Sequence, residues 1–135
     1  MNRFRILIAD DHLLFCDGLR KILEPDHHVV GTVHDGLDVV PAILSLEPDL
    51  VLLDLSLPGR NGIEIARQAR DLGLAAKVLV LTMHNDTVFA VEALRAGAAG
   101  FMLKEASGEE LLHAIDEVMD GRTYLDTELR RLAGM

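Results

Sequence analysis

The chain has a single cysteine, Cys16, among its 135 residues, which excludes an internal disulfide and a thiolate metal site. That scarcity fits a reducing compartment, and a lone cysteine in a helical stretch reads as a small apolar residue rather than a reactive thiol. Basic residues are also in deficit: 13 Lys and Arg stand against 22 Asp and Glu, a formal charge of −9. A surface of that sign repels a phosphate backbone, so this segment by itself is not expected to bind nucleic acid. Half of the residues are hydrophobic, yet no apolar run nears the roughly 18 residues that a membrane-spanning helix needs. The opening Met1-Asn2-Arg3-Phe4-Arg5 leads into a short apolar stretch closed by two aspartates, unlike a signal peptide, and the expected location is cytoplasmic. Repeats and low-complexity tracts are missing as well, and no linker interrupts the chain before Gly121. The length suits one compact domain over 1–121, with 122–135 beginning a linker or a sixth helix through Leu125, Leu129 and Leu132.

What is present alternates. Five strand-like runs, Phe4 to Ala9, His28 to Val33, Leu50 to Leu55, Lys77 to Thr82 and Gly100 to Lys104, are separated by amphipathic stretches. Most are nearly continuous in Ile, Leu, Val and Met, as parallel strands covered on both faces require. The spacing predicts helices with stripes at Leu14, Leu19, Ile22 and Leu23; at Ile63, Ala66, Ala69 and Leu72; and at Val88, Val91, Leu94 and Ala98. The last helix is the best marked, with Ser107 and Glu110 as a capping box, a stripe through Leu111, Leu112, Ile115, Val118 and Met119, and Gly121 as the stop. Pro41 sits where a helix from Gly36 to Leu46 needs an amide, so that helix either kinks or starts late, near Asp38; the late start is preferred. Alternating strands and helices imply right-handed crossovers and an open, doubly wound parallel α/β sheet, whose functional groups gather outside the carboxyl ends of the strands.

Asp10-Asp11, Asp54, Thr82 and Lys104 all fall at such ends. Asp11 alone reads equally as a helix N-cap, Thr82 as a β-branched strand residue and Lys104 as a surface amine. Together they supply what moves a phosphoryl group onto a carboxylate: a nucleophilic Asp54, acids for a divalent cation, a hydroxyl and an ammonium. Converging carboxylates oppose one another's ionisation unless a cation neutralises them, and a hard, oxygen-preferring ion such as Mg2+, with Mn2+ as a substitute, suits the set. The six histidines are scattered over different elements and read as surface or loop residues.

Four stretches, Ile8-Ala9-Asp10-Asp11-His12, Leu53-Asp54-Leu55-Ser56-Leu57-Pro58-Gly59 with Gly62, Leu81-Thr82-Met83, and Ala96-Gly97-Ala98-Ala99-Gly100-Phe101-Met102-Leu103-Lys104, resemble the receiver domain of two-component response regulators. Their wording is most similar to the NarL/FixJ (LuxR-type) subfamily. The resemblance covers residues 3 to about 121 and implies a flavodoxin-like receiver fold with strand order 2-1-3-4-5. It implies Asp54 as phosphoacceptor, and Mg2+ held by Asp10 or Asp11 with Asp54 and the Ser56 backbone carbonyl, the other acid acting through water. Thr82 and Phe101 become a coupled switch, in which the hydroxyl moves toward the phosphoryl group and the ring turns inward. Phe101 lacks the hydroxyl of the commoner Tyr, so its inward state rests on packing. Ser56 and His84 match positions that tune dephosphorylation. Partners implied are a histidine kinase, a C-terminal DNA-binding domain in a full-length protein, and a second copy on activation. Glu105 follows Lys104 where many receivers have Pro, and a trans peptide is expected there.

Three other readings compete. A haloacid-dehalogenase-type phosphatase also uses a strand-end Asp, but needs a second Asp two residues on, where this chain has Ser56. A flavodoxin-like cofactor binder needs hydroxyls and glycine amides in its first strand–helix loop, and Asp10-Asp11-His12 would repel the anion. Loss of one of the five key residues would favour a phosphorylation-independent pseudo-receiver, and none is lost.

Overall fold

The computed structural model describes residues 3–83 and 87–132. In chain order the elements are β1 (Arg5–Ala9), α1 (Leu13–Leu23), β2 (His28–Val33), a 3-10 turn (Gly36–Asp38), α2 (Val39–Leu46), β3 (Leu50–Asp54), α3 (Gly62–Asp71), β4 (Lys77–Thr82), α4 (Thr87–Arg95), β5 (Gly100–Leu103), α5 (Gly108–Met119), β6 (Tyr124–Leu125) and α6 (Thr127–Leu132). The strands form one parallel sheet in the order β2-β1-β3-β4-β5-β6. This is the doubly wound α/β sheet expected, extended by a sixth strand that two residues are too short to announce.

Strand alternation divides the core into two layers. Ile6, Ile8, Leu50, Leu52, Leu79, Leu81 and Met102 face α1 and α5, whereas Leu7, Val51, Leu53, Val78, Val80 and Phe101 face α2, α3 and α4. Both faces of the inner strands are covered, so β1, β3 and β4 are apolar at nearly every position, each large side chain worth about 1.5–3 kcal/mol when fully buried, whereas the outer strand β2 is mostly half-buried and holds Gly31 and Thr32.

The helices follow from local chemistry. Asn61 starts α3 by accepting the Glu64 amide at 3.0 Å, and Ser107 starts α5 by accepting that of Glu110 at 3.1 Å. The Asp35 carboxylate closes the 3-10 turn by accepting the Leu37 amide at 2.8 Å, so α2 begins at Val39 and Pro41 falls in its first turn, the late start preferred above. Gly62, at the head of α3, lies against β3: a Cβ there would stand 2.9 Å from the Asp54 carbonyl oxygen and 3.0 Å from Leu55 Cα. The loop between them turns through Gly59 at φ +83°, a left-handed conformation that glycine adopts without steric cost.

Some predicted stripes are corrected. Leu14 is 87% exposed, and the buried side of α1 is Cys16, Leu19 and Leu23. Leu72 and Val88 are also exposed; α3 buries Ile65 instead, and α4 meets the sheet through Ala90 and Ala93. Small residues let α4 approach closely, which leaves its larger side chains outside. His27 is not a surface residue: it is buried, accepts the Phe4 amide at 3.2 Å and stacks on the Phe4 ring.

After Gly121 the chain stays on the domain. Leu125 in β6 and Leu129 in α6 are buried in the same layer as Phe101, while the Leu132 side chain lies outside the described residues. Leu129→Ala is therefore expected to cost about 2 to 5 kcal/mol in urea unfolding; a loss below about 0.5 kcal/mol, typical of surface sites, would mean that α6 adds nothing to the fold.

Candidate phosphoacceptor site

The register of the sheet builds the site. In the β1–β3 pair Ile6 is opposite Leu50 and Ile8 opposite Leu52, so two residues further on Asp10 lies beside Asp54. Leu81 is opposite both Asp54 and Met102, and two residues past Met102 comes Lys104. The row Asp10, Asp54 and Lys104 thus continues the sheet face that packs on α1 and α5, but lies where the strands run out and polar groups replace apolar ones. Backbone bonds carry the pairing past the assigned ends, from the Asp10 amide to Val33 O at 3.0 Å and from the Lys104 amide to Thr82 O at 2.8 Å.

The Asp10, Asp54 and Lys104 side chains meet at these strand ends. Asp10 and Asp54 are 2% and 3% exposed. The Lys104 ammonium lies 2.7 Å from Asp10 Oδ2 and 3.2 Å from Asp54 Oδ2. It also stands 4.7 Å from the centre of the Phe15 ring, a cation–π contact that roofs the pocket. The Ser56 amide donates to Asp54 Oδ1 at 3.1 Å and the His12 amide to Asp10 Oδ1 at 2.8 Å. Asp11 is partly exposed, with Oδ1 3.6 Å from His12 Nδ1. Thr82 is buried at the end of β4. It projects from the opposite sheet face, in the row of Val80, whose neighbour across the register is Phe101. The Phe101 ring is fully buried. Ser56 is exposed, and His84 lies outside the described residues. The Lys104–Glu105 peptide is trans, as expected.

One member of the site was passed over in the sequence. His12, read as a surface residue, places Nδ1 3.1 Å from Asp10 Oδ1, 3.8 Å from Asp54 Oδ2 and 3.0 Å from Lys104 Nζ. Its position directly after the acidic pair is the signal that was available. His34 is nearby in another role, its Nδ1 donating to the Asp10 backbone carbonyl at 2.8 Å. Cys16 donates to that same carbonyl at 3.5 Å; burial, with the Asp10 charge, pushes its thiol up to about 11 and keeps it protonated at neutral pH.

The donor set fits a divalent cation. Asp10, Asp11, His12 and Asp54 each offer one ligand atom, all within 4.8 Å of one another. Asp10 Oδ2 and Asp54 Oδ2 are buried and accept no well-aligned hydrogen bond, although both lie within ion-pair distance of Lys104. Buried carboxylate oxygens left in that condition are costly without more positive charge.

Electrostatics single out Asp54. Burial pushes its carboxyl above the ordinary value, and the Asp10 charge adds to the rise; the Ser56 amide and the Lys104 ammonium offset it only in part. A carboxyl that holds its proton more tightly when folded contributes stability that is complete below the unfolded value, about 4, and is lost as pH climbs through the folded one. In EDTA, Asp54→Asn cannot ionise, so its stability relative to the wild-type chain is expected to grow as pH rises from about 4 toward neutrality. Urea unfolding at a series of pH values checks this, and a flat or shrinking difference would contradict a crowded ionic pocket.

Comparison with known proteins agrees with this geometry. The response regulator receiver domain family matches residues 6–116. The transcriptional regulatory protein DegU of Brevibacillus brevis is 36% identical over 126 residues, covering 92% of this chain and 53% of DegU. A LuxR-family two-component response regulator from Aurantimonas sp. SI85-9A1 superposes with a TM-score of 0.93 at 33% identity, over 98% of this chain and 96% of that one. The signal receiver domain of NarL from Mycobacterium tuberculosis superposes with a TM-score of 0.86 at 33% identity, over 90% of this chain and 100% of that one. The chain spans little more than half the length of the curated relatives it matches. A six-stranded parallel sheet with an Asp–Asp–Lys pocket at its strand ends, matched over most of its length, belongs to the receiver domain family of two-component response regulators.

Proposed function

We propose that this receiver takes a phosphoryl group from the phosphohistidine of a partner kinase onto Asp54 and so switches a protein-interaction surface. The observation that carries the proposal is the Lys104 ammonium set between two buried carboxylates, 2.7 Å from Asp10 and 3.2 Å from Asp54. In the transfer the P–N bond to the kinase imidazole breaks, a bond forms from phosphorus to an Asp54 oxygen, and the imidazole takes up a proton. Asp10, Asp11, Asp54 and the Ser56 carbonyl would hold Mg2+, or Mn2+ in its place. When bound, the ion supplies charge neutralisation and orientation of the phosphoryl oxygens.

This chain's own residues do the rest. Lys104 exchanges its carboxylate partner for the phosphoryl oxygens, bringing a compact ammonium against the added charge of about −1.5 to −2. Thr82 offers its hydroxyl from the neighbouring strand end. Because Thr82 and Phe101 share the face under α4, movement of the hydroxyl is felt by the ring and by the α4–β5–α5 surface. With no phenolic hydroxyl, the Phe101 ring is held by packing alone. Ser56 and His84 set how readily water reaches the acyl phosphate.

Turnover is limited to slow loss of the phosphoryl group, which makes the domain a signalling switch. In a full-length protein that surface, or α1 and α5, would pair with a second copy or with a DNA-binding domain and control transcription in the cytoplasm.

Incubation with acetyl phosphate, followed by intact-mass measurement, tests the reading. One phosphoryl group per chain is expected, dependent on Mg2+, labile to hydroxylamine and missing from Asp54→Asn. Steady phosphate release from unrelated esters would favour a phosphatase instead. Failure of wild type to take up any phosphoryl group would favour a pseudo-receiver.

A further inference from the structure

We infer that His12 is a nitrogen ligand at the acid cluster, so that the pocket accepts transition-metal ions such as Co2+ and Zn2+, and Mn2+ beside them, through a mixed oxygen and nitrogen set. The inference rests on the reading that the cluster holds a divalent cation. It adds a ligand and a metal selectivity that the carboxylates alone do not give.

Geometry is the first argument. His12 Nδ1 is 3.1 Å from Asp10 Oδ1, 3.6 Å from Asp11 Oδ1 and 3.8 Å from Asp54 Oδ2. In an octahedral shell of radius about 2.1 Å, neighbouring ligand atoms lie about 3.0 Å apart and opposite ones about 4.2 Å. The separation from Asp10 is that of neighbouring ligands, and those from Asp11 and Asp54 fall between the neighbouring and opposite values.

The second argument is what occupies the middle. Lys104 Nζ is 2.7 Å from Asp10 Oδ2, 3.2 Å from Asp54 Oδ2 and 3.0 Å from His12 Nδ1. Two oxygens and a nitrogen from three different residues thus converge on one cationic centre. With its proton on Nε2, His12 turns the Nδ1 lone pair to the ammonium at 3.0 Å; with the proton on Nδ1 it donates to Asp10 Oδ1 at 3.1 Å, and a metal ligand needs the first tautomer. In that first tautomer the lone pair and the Asp10 and Asp54 oxygens share one ammonium, and a divalent ion would bring the second positive charge that two buried carboxylates call for. The buried Asp10 and Asp54 oxygens that lack an aligned hydrogen bond point to the same need.

The backbone also holds the ring in place for this. His12 occupies the N-cap position of α1, with φ −88° and ψ 98°, yet its side chain makes no capping hydrogen bond. Its amide is tied to Asp10 Oδ1 at 2.8 Å, which fixes the residue over the acids. The side chain is 56% exposed, so the ring contributes a ligand atom without the cost of burying the imidazole. Imidazole strengthens binding of Co2+ and Zn2+ far more than that of Mg2+, which prefers oxygen, while Mn2+ accepts both donor types and serves as the spectroscopic probe.

Pulsed electron paramagnetic resonance of Mn2+ bound to the purified protein reads the ligand directly. The wild-type spectrum is expected to carry the nitrogen modulation of a coordinated imidazole. His12→Ala and His12→Leu, at this exposed position, are expected to keep bound Mn2+ and lose that modulation. By competition titration, their Zn2+ affinity should fall by at least about tenfold while Mg2+ affinity changes less than about twofold. A wild-type spectrum with bound Mn2+ and no directly coupled nitrogen overturns the inference without any variant. So does modulation that survives in both variants, which would point to another imidazole such as His34, or equal losses for Zn2+ and Mg2+. Those results leave the phosphoacceptor reading standing, whereas absence of any Mn2+ or Mg2+ binding to the wild-type chain removes the cation reading and the inference together.

Discussion

Two carboxylates, Asp10 and Asp54, are buried side by side and share the ammonium of Lys104. Removing such groups from water costs several kcal/mol per ion, and one cation between two anions repays only part of it. A fold that keeps this arrangement must hold three strand ends in register, because a slip of one residue in any strand would turn its charged group to the other face of the sheet. The near-continuous apolar strands serve that purpose: β1, β3, β4 and β5 are locked between helices on both faces, and the polar row begins where the apolar one stops. Gly62 adds to the constraint by letting α3 press against the backbone of Asp54 and Leu55.

The pocket is consequently under electrostatic tension that a further charge can redirect. Desolvation and Asp10 hold the Asp54 carboxyl above its ordinary value, and Lys104 only partly compensates. On the proposed reading, a phosphoryl group on Asp54 draws the ammonium away from the acids, and the change crosses the sheet at Thr82. That residue ends β4 in the row of Val80, beside Phe101, and this layer packs directly on Ala90 and Ala93 of α4. On that reading the route from site to surface would be one strand end and one packed layer, short enough for a local rearrangement to bias α4.

The sheet was legible in the sequence because parallel strands covered on both faces have an unmistakable composition, and because the chemistry sits where each run ends. Asp10, Asp54, Thr82 and Lys104 could be placed from that rule alone. The helix faces were less legible. Leu14, Leu72 and Val88 match a helical spacing yet lie outside, since periodicity marks a stripe without saying whether a neighbour approaches it closely enough to cover it. In α4 the alanines, which carry little hydrophobic signal, make the contact. His27 and His12 were passed over for a related reason: an imidazole is buried or recruited according to tertiary neighbours, here Phe4 for one and the acid cluster for the other. The two residues of β6 carry no readable period at all.

The central claim is that one carboxylate, selected by its surroundings, receives the phosphoryl group. Borohydride reduction of the phosphorylated protein converts an aspartyl phosphate to homoserine and marks its position permanently. Peptide mass spectrometry is predicted to find homoserine at position 54 and nowhere else. Homoserine at Asp10, Asp11 or an acid outside the pocket, or phosphate recovered on a histidine or hydroxyl side chain, would contradict the account.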